Sequence, residues 1–333
     1  MNWVIGPVED WRDLALAPLW ALALGLLLGA TPLGRMKLTL LGQTGSPADG
    51  FLACFIFAHL FLVFFRSHGN PEIRRLHPVR FWVVPPVLLA LFALSPLARA
   101  AGLALAIWWD AYHSSLQTFG IGRIFDAKAG NGPEPGRAMD LGLNLLLYVG
   151  PILGGALLMY HAAAFYEFSA AGLLAFGDLP PRIVALQGRL RLVLLALGVP
   201  YLAAYAVYYA FLVSRGYRVD ARKTALLLST GACSVWAWGF NPLGMGLFIM
   251  NFFHAWQYFA LVWRYERKTV SRVLRLRDGW PAFAGMAGVA FAYGALGNAL
   301  AEVSTLALSA TVVVSLLHFW YDGFVWSVRR GQV

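Results

Sequence analysis

The sequence predicts an all-α fold: a polytopic membrane helix bundle of about ten transmembrane helices with both termini in the cytoplasm. Of the 333 residues, 59% are hydrophobic and only 13% are charged, and the mean hydropathy is +0.64. A water-soluble domain of this length needs a more polar surface. The apolar residues also form blocks of about 20, the length that crosses a hydrocarbon core of about 30 Å. We predict one integral membrane domain over residues 1–333.

Each predicted span follows one apolar block of the sequence. The first block comes after an acidic segment that begins at Glu9 rather than after a basic segment, so we interpret it as a spanning helix and not as a cleaved signal peptide. Pro85 and Pro86 interrupt the third block, and the seventh ends at "FNPLG". The predicted spans are 14–33, 49–65, 81–97, 100–123, 141–163, 190–213, 224–242, 245–264, 281–300 and 303–327.

The basic residues support this count and set the orientation. With ten spans, 20 of the 26 lysines and arginines fall on the side that holds both termini, and 6 fall on the other side. Cytoplasmic loops of membrane proteins carry such an excess. The net charge of +10 therefore indicates topology and contact with anionic lipid, and we expect no nucleic-acid partner. The pattern is typical of a multi-pass protein of the bacterial inner membrane.

The two cysteines, Cys54 and Cys233, both lie inside apolar blocks. They give neither a disulfide framework nor a CxxC metal motif, so we interpret them as small hydrophobic residues. The sequence also contains no CxxCH, which excludes covalent attachment of a c-type haem.

Four of the seven histidines share one predicted depth in the membrane. His59, His113, His254 and His318 lie on spans 2, 4, 8 and 10, each seven to eleven residues before a cytoplasmic arginine. That distance is about 10–16 Å along a helix. The sequence therefore predicts a layer of imidazoles in the cytoplasmic half of the bilayer. His68 and His77 fall in the loop below this layer, and the pattern does not decide whether they join it.

Polar residues accompany three of these histidines at helical spacing. Asp110 and Gln117 share a face with His113, and Gln257 (or Tyr258) shares a face with His254. Asp322 lies four residues after His318. Buried carboxylates and imidazoles in a membrane are costly and usually mark a site. We predict that His59, His113, His254, His318 and Asp322 bind a metal, and that Asp110, Asp322, Gln117 and Gln257 take part in the chemistry.

Imidazole and carboxylate ligands without thiolate suit iron, manganese, zinc or copper. Iron with open coordination positions activates oxygen, whereas zinc would activate water. We expect a mononuclear or dinuclear iron site that oxidises a lipophilic small molecule or membrane lipid entering from the bilayer. Its electron donor would be on the cytoplasmic side.

The stretch "HFWYDG" (318–323) and the histidines spread over several helices resemble the polytopic membrane oxygenases. Within that broad group, the sequence resembles the bacterial Brp/Blh carotenoid-cleaving proteins. The resemblance implies a many-helix membrane enzyme with intramembrane histidines, and it assigns no individual residue. The HxxxH and HxxHH boxes of membrane desaturases and hydroxylases are absent from the sequence, which argues against that family.

Three other functions fit parts of the pattern. A proton-coupled transporter would use Asp110, Asp322 and the histidines as proton carriers, although the sequence shows no pseudo-symmetric halves. A b-type haem protein would use two of the histidines as axial ligands. A structural or lipid-scaffold role would leave the intramembrane aspartates unexplained.

Overall fold

The computed structural model describes residues 3–34, 36–40, 43–241 and 245–326. Within these residues the regular secondary structure is helical except for one short hairpin. The hairpin pairs β1 (Leu38–Leu40) with β2 (Gln43–Gly45) in antiparallel register, with Thr39 opposite Thr44. The all-α prediction is confirmed.

Ten helices of the described residues are eleven or more residues long. They are α1 (Ala17–Ala30), α2 (Pro47–Arg66), α3 (Val84–Leu94), α4 (Pro96–Lys128), α5 (Arg137–Gly154), α6 (Gln187–Ser214), α7 (Ala221–Ser234), α8 (Gly246–Leu274), α9 (Trp280–Ala301) and α10 (Thr305–Val325).

These helices follow the ten apolar blocks closely. The largest difference is α8, which continues ten residues beyond the predicted end at 264, because the charged stretch after Trp263 contains no glycine or proline until Gly279. A second difference concerns the third and fourth blocks. The break lies at Ser95, whose extended backbone (φ −119°, ψ 109°) is what a following proline requires, and the chain bends there by 118°.

Four helices are individually long and apolar enough to cross a membrane: α2, α6, α9 and α10. The number rises to seven if each of three bent helix pairs counts as one span. In α6, only 6% of the most apolar 18-residue window is buried. A helix that exposes so much apolar surface requires lipid around it. Ten spans and cytoplasmic termini stay predictions, and the ends of the predicted spans at 242 and 327 lie outside the described residues.

The chain divides into two compact units. The first comprises Met1–Leu26 and Ile107–His254, and the second comprises Leu27–Ala106 and Ala255–Val333. Helices α1, α4 and α8 contribute residues to both. The single membrane domain over 1–333 stays a prediction.

In the first unit, α5 packs against α6 and α7. The α5–α6 contact is close because Gly142 has no side chain, and Tyr201 donates a hydrogen bond across it to the Met139 carbonyl at 2.6 Å. Helix α7 is joined to the amino-terminal segment by Ser229, whose hydroxyl donates to the Ala15 carbonyl at 3.0 Å.

In the second unit, α2 packs against α9 and α10. The α2–α9 contact depends on Gly294, because a Cβ atom at this position would collide with the backbone oxygen of Cys54. Aromatic rings fill the adjacent core, where Phe55 lies 5.4 Å from Phe259 and 5.7 Å from Phe291 between ring centroids. Helix α2 is therefore held tightly along the face that also carries His59.

Candidate functional site

His59 and His318 meet in the interior of the second unit. Ser46 caps the amino-terminal end of α2: its hydroxyl accepts from the Asp49 amide in a reciprocal capping box. His59 lies more than three turns further along the helix. His318 projects from α10. The two ring centroids are 5.1 Å apart and the planes are nearly perpendicular at 88°. Both residues are almost completely buried.

Tyr258, Asp322 and Trp326 surround this pair of rings. The Tyr258 ring lies 4.7 Å from that of His318 and 6.2 Å from that of His59. The Tyr258 hydroxyl and the Trp326 indole N–H both donate to Asp322 Oδ1, at 2.9 and 3.0 Å. The other carboxylate oxygen, Oδ2, lies 3.7 Å from His318 Nε2. We call these five residues the His59–His318 cluster.

A buried ion pair borders the cluster. Arg66, the last residue of α2, lies 2.5 Å from Glu266 Oε1 and donates two further hydrogen bonds to the Val325 carbonyl at 3.0 and 2.9 Å. Its guanidinium also lies 4.5 Å above the Trp326 ring. A cation that binds the last carbonyl of a helix satisfies an otherwise unpaired acceptor. Arg66 thereby fixes the end of α10 and the position of Trp326.

His68 and His77 have packing and hydrogen-bonding roles in the second unit. His68 Nε2 lies 2.9 Å from the Phe81 carbonyl, and its Nδ1 lies 3.1 Å from the Ser67 hydroxyl. Both of its ring nitrogens are therefore engaged in hydrogen bonds. The His77 ring packs edge-on against Phe324 at 4.7 Å.

In the first unit, His113 and His254 form a second pair. Their ring centroids are also 5.1 Å apart, with planes at 82°, and both residues are buried. Gln117 lies beside this pair, where its side-chain amide donates to the His254 backbone carbonyl at 2.9 Å. Gln117 thus joins α4 to α8 and holds His254 in place.

The remaining predicted residues occupy different environments. Asp110 lies on α4 and is partly exposed, whereas Gln257 on α8 is completely buried. His161 is buried between aromatic rings, 4.9 Å from Trp238 and 5.6 Å from Trp108 between ring centroids.

The roles of Trp326, Arg66 and Glu266 are not among those predicted from the sequence. The Asp322–Trp326 contact has the i, i+4 spacing of helical neighbours and could have been found. The Arg66–Glu266 pair joins residues 200 positions apart, which no local pattern reveals. Arg66 is one of the 20 basic residues that the charge pattern assigns to the cytoplasmic side, at the level of anionic lipid. The structure instead buries it, because a carboxylate and a helix end balance its charge.

The geometry of the ring pairs fits a metal ion. Two imidazoles bound side by side on one ion, with metal–nitrogen distances of about 2.0–2.1 Å, have centroids roughly 4.5–5.3 Å apart. Both observed separations fall in this range. The 3.7 Å between His318 Nε2 and Asp322 Oδ2 is too long for a hydrogen bond but within the span of about 4.2 Å that two ligands of one ion can have.

Comparison of the chain with protein-family models, with curated proteins and with solved structures found no match.

Proposed function

We propose that this protein is a membrane-embedded, metal-dependent oxidoreductase, an oxygenase or oxidase that uses iron to act on a lipophilic substrate. The observation that carries the proposal is the buried approach of His59 and His318 beside the carboxylate of Asp322. Two histidines and one carboxylate are a typical ligand set for iron that reacts with oxygen. His113 and His254 supply a second pair of imidazoles within the first unit.

The surroundings of Asp322 support this role. Tyr258 and Trp326 both hold Oδ1, so the carboxylate is oriented with Oδ2 towards His318. Outer hydrogen bonds of this kind fix metal ligands in other proteins. When bound, iron would supply oxygen activation. The chain itself orients the ligands through Tyr258, Trp326 and Gln117, and excludes water by burying them; Asp110 and Gln257 are the further polar groups we assign to the reaction.

The apolar exterior favours a substrate and a setting within the lipid. Exposed apolar helices such as α6 place the protein in a bilayer, and we propose the bacterial inner membrane. A lipophilic molecule would reach the site from the bilayer, and an electron donor would approach from the cytoplasmic side. Manganese, zinc and copper accept the same ligands, so metal identity is decided by analysis of the purified protein.

The spacing of the rings disfavours haem. Imidazoles on opposite faces of one haem iron have centroids about 6 Å apart, because each nitrogen lies about 2.0 Å from the iron. Both pairs have a separation of 5.1 Å. Neither pair fits as the two axial ligands of one haem.

The test is elemental analysis of the purified full chain in detergent, together with an optical spectrum. We expect stoichiometric iron in the wild type. The variants His59→Ala, His318→Ala, His113→Ala and His254→Ala should each lose more than about half of it while remaining monodisperse. His161→Ala is the matched control, because it removes another buried imidazole, one that packs against the rings of Trp238 and Trp108.

Three results would contradict the proposal. Full metal content in all four variants would show that these histidines are not ligands. A wild-type protein without stoichiometric metal would favour the proton-coupled transporter, whose histidines and aspartates carry protons. A Soret band would favour the haem protein.

A further inference from the structure

Lys223, near the start of α7 in the first unit, is buried among carboxylates and phenols. Its ammonium group lies 2.7 Å from both Asp126 Oδ2 and Asp140 Oδ2. It also lies 2.8 Å from the Tyr209 hydroxyl and 3.2 Å from the Tyr217 hydroxyl. An ammonium has three protons, so four acceptors use its entire donor capacity.

Arg123 completes the charge balance around the same carboxylates. Its Nη1 donates to Asp126 Oδ2 at 2.6 Å and to Asp140 Oδ2 at 2.9 Å, and its Nη2 donates to the Pro133 carbonyl at 2.9 Å. Two cations therefore face two carboxylates, and the group as a whole is neutral. We call it, with the three tyrosines that bind it, the Lys223 network. A balanced buried network has no excess charge with which to attract an ion.

The tyrosines of the network have all used their protons. Tyr205 and Tyr209 donate to Asp140 Oδ1, at 2.9 and 2.5 Å, and Tyr217 donates to Asp126 Oδ1. Each phenol has one proton and two acceptor lone pairs. Towards any other molecule, these three oxygens can therefore act only as hydrogen-bond acceptors.

A cavity of about 610 Å³ borders the network. Helices α5, α6 and α7 form its walls with mainly apolar side chains, among them Leu143, Leu147, Leu202, Leu227 and Leu228. Its polar lining includes the three tyrosines and Lys223. The volume is within the range of about 300–1,000 Å³ that small-molecule sites have.

We propose that this cavity binds a long-chain aliphatic or isoprenoid alcohol, with the chain against the leucines and the hydroxyl donating to a tyrosine oxygen of the Lys223 network. The apolar walls suit a hydrocarbon chain, because alkyl chains pack against leucine side chains without burying an unpaired polar group. The tyrosines select the end group, because a hydroxyl can donate to a lone pair that remains on a phenol oxygen.

Other end groups fit the same lining poorly. A ketone, an ester or a carboxylate would place acceptor lone pairs against acceptor lone pairs. A carboxylate would also lie near two aspartates in a network that has no spare cation. An alkane offers no proton to the tyrosine oxygens, so it gains nothing from the polar end of the cavity. A phospholipid is too large for the cavity. Its binding also does not require a group of oxygens that can only accept hydrogen bonds.

Binding of a ligand series to the unmodified full chain in detergent tests the end group. The probes are oleyl alcohol, octadecane, oleate and oleylamine, measured by native mass spectrometry with competition by phosphatidylcholine. We expect oleyl alcohol to bind at least about tenfold more tightly than octadecane or oleate. Phosphatidylcholine in excess should not displace it.

Two variants, each with its own control variant, test whether the alcohol binds in this cavity. Ala232→Trp fills space at the wall and should abolish binding of oleyl alcohol, whereas Leu195→Trp adds the same ring at an exposed position on α6 outside the cavity. Tyr205→Phe removes one acceptor oxygen and should weaken the alcohol about 3- to 10-fold without changing octadecane. Tyr208→Phe is its control, since Tyr208 does not line the cavity.

Several results would overturn the proposal. Equal binding of octadecane and oleyl alcohol would remove the role of the tyrosines, and tighter binding of oleate or oleylamine would assign a charged ligand. Displacement by phosphatidylcholine would identify ordinary bilayer lipid. If Ala232→Trp does not fold, the ligand series and the Tyr205→Phe comparison still decide.

Discussion

Asp322 is the residue at which hydrogen bonding and proposed metal binding meet. One carboxylate oxygen is held by Tyr258 and Trp326, and the other faces His318. The roles of the two oxygens can therefore be tested separately by mutation, because an asparagine keeps one oxygen and replaces the other with an amide nitrogen.

We predict that Asp322→Asn folds normally but loses more than about half of its iron. The asparagine oxygen can still accept from Tyr258 and Trp326, whereas the amide that replaces Oδ2 has neither the charge nor the lone pairs of a good ligand. Asp322→Glu should retain more metal and more activity. Metal analysis and thermal unfolding of both variants measure the effect; equal losses would indicate that Asp322 has a purely steric role.

His68 gives a pH-dependent prediction outside the membrane-spanning segments. Burial lowers the pKa of His68 below its ordinary value of 6.5, and the Arg74 charge acts in the same direction against the opposing Phe81 carbonyl. The neutral ring is therefore favoured in the folded state. Its contribution to stability is complete above about pH 6.5 and declines as the pH falls towards the lowered pKa.

His68→Gln provides the comparison for this prediction. Glutamine can still donate to the Phe81 carbonyl but does not titrate. We expect the difference in free energy of unfolding between wild type and variant to be constant above about pH 6.5. Below it, the wild type should lose stability relative to the variant in thermal unfolding between pH 5 and 8. Parallel curves over the whole range would contradict the assignment.

At the scale of helices, the position of His59 depends on how α2 packs against α9. Gly294 allows α9 to approach the backbone of α2 at Cys54 and Ala58, the residue before His59. A side chain at this position would push the two helices apart and move His59.

We predict that Gly294→Ala lowers the free energy of unfolding by about 1–3 kcal/mol, as overpacking of a tight interface does. Iron content should fall with it, because His59 shifts. Gly288→Ala is the matched control on the same helix, where an added Cβ would meet nothing within 4 Å. Thermal unfolding in detergent should show no loss for Gly288→Ala. A similar loss in both variants would remove the interface as the cause.

The helices could be predicted from the sequence, because apolar blocks and prolines act locally. The bounds of α2, α6 and α9 agree with the predicted spans to within a few residues. The spacing of His318 and Asp322 was equally readable. The partner of His59 was not, since 259 residues separate it from His318 and periodicity does not say which helices are neighbours.

The charged residues show the same limit of prediction from sequence, since their distant partners cannot be identified. Arg222 and Lys223 are among the 20 basic residues that the charge pattern assigns to the cytoplasmic side, yet both are buried. Lys223 is balanced by Asp126 and Asp140, and Arg222 by Asp10 at 2.8 Å. A count of basic residues indicates topology but does not distinguish a cation that faces lipid headgroups from one that has a distant carboxylate.

For the whole molecule, the arrangement of basic residues predicts orientation. The excess of 20 against 6 predicts that both termini and the even-numbered loops lie in the cytoplasm. This asymmetry depends on the number of spans, so a measured topology also tests the count of ten.

We predict that green fluorescent protein fused to the carboxyl terminus will fluoresce and that alkaline phosphatase fused there will be inactive. Alkaline phosphatase inserted at Gly172, in the segment between α5 and α6, should be active because that segment is predicted to lie outside. Fluorescence and phosphatase activity in cells measure both. An active phosphatase at the carboxyl terminus would require either an odd number of spans or the reverse orientation of the whole chain.

The contacts of Arg66 also constrain how the chain is made. Arg66 is synthesised about 200 residues before Glu266 and 259 residues before Val325, its two buried partners. At about 5–20 residues per second, translation leaves this guanidinium without either partner for roughly 10–40 s. Helix α2 therefore cannot settle into its final place during that interval, and the second unit closes only when the last helix has left the ribosome.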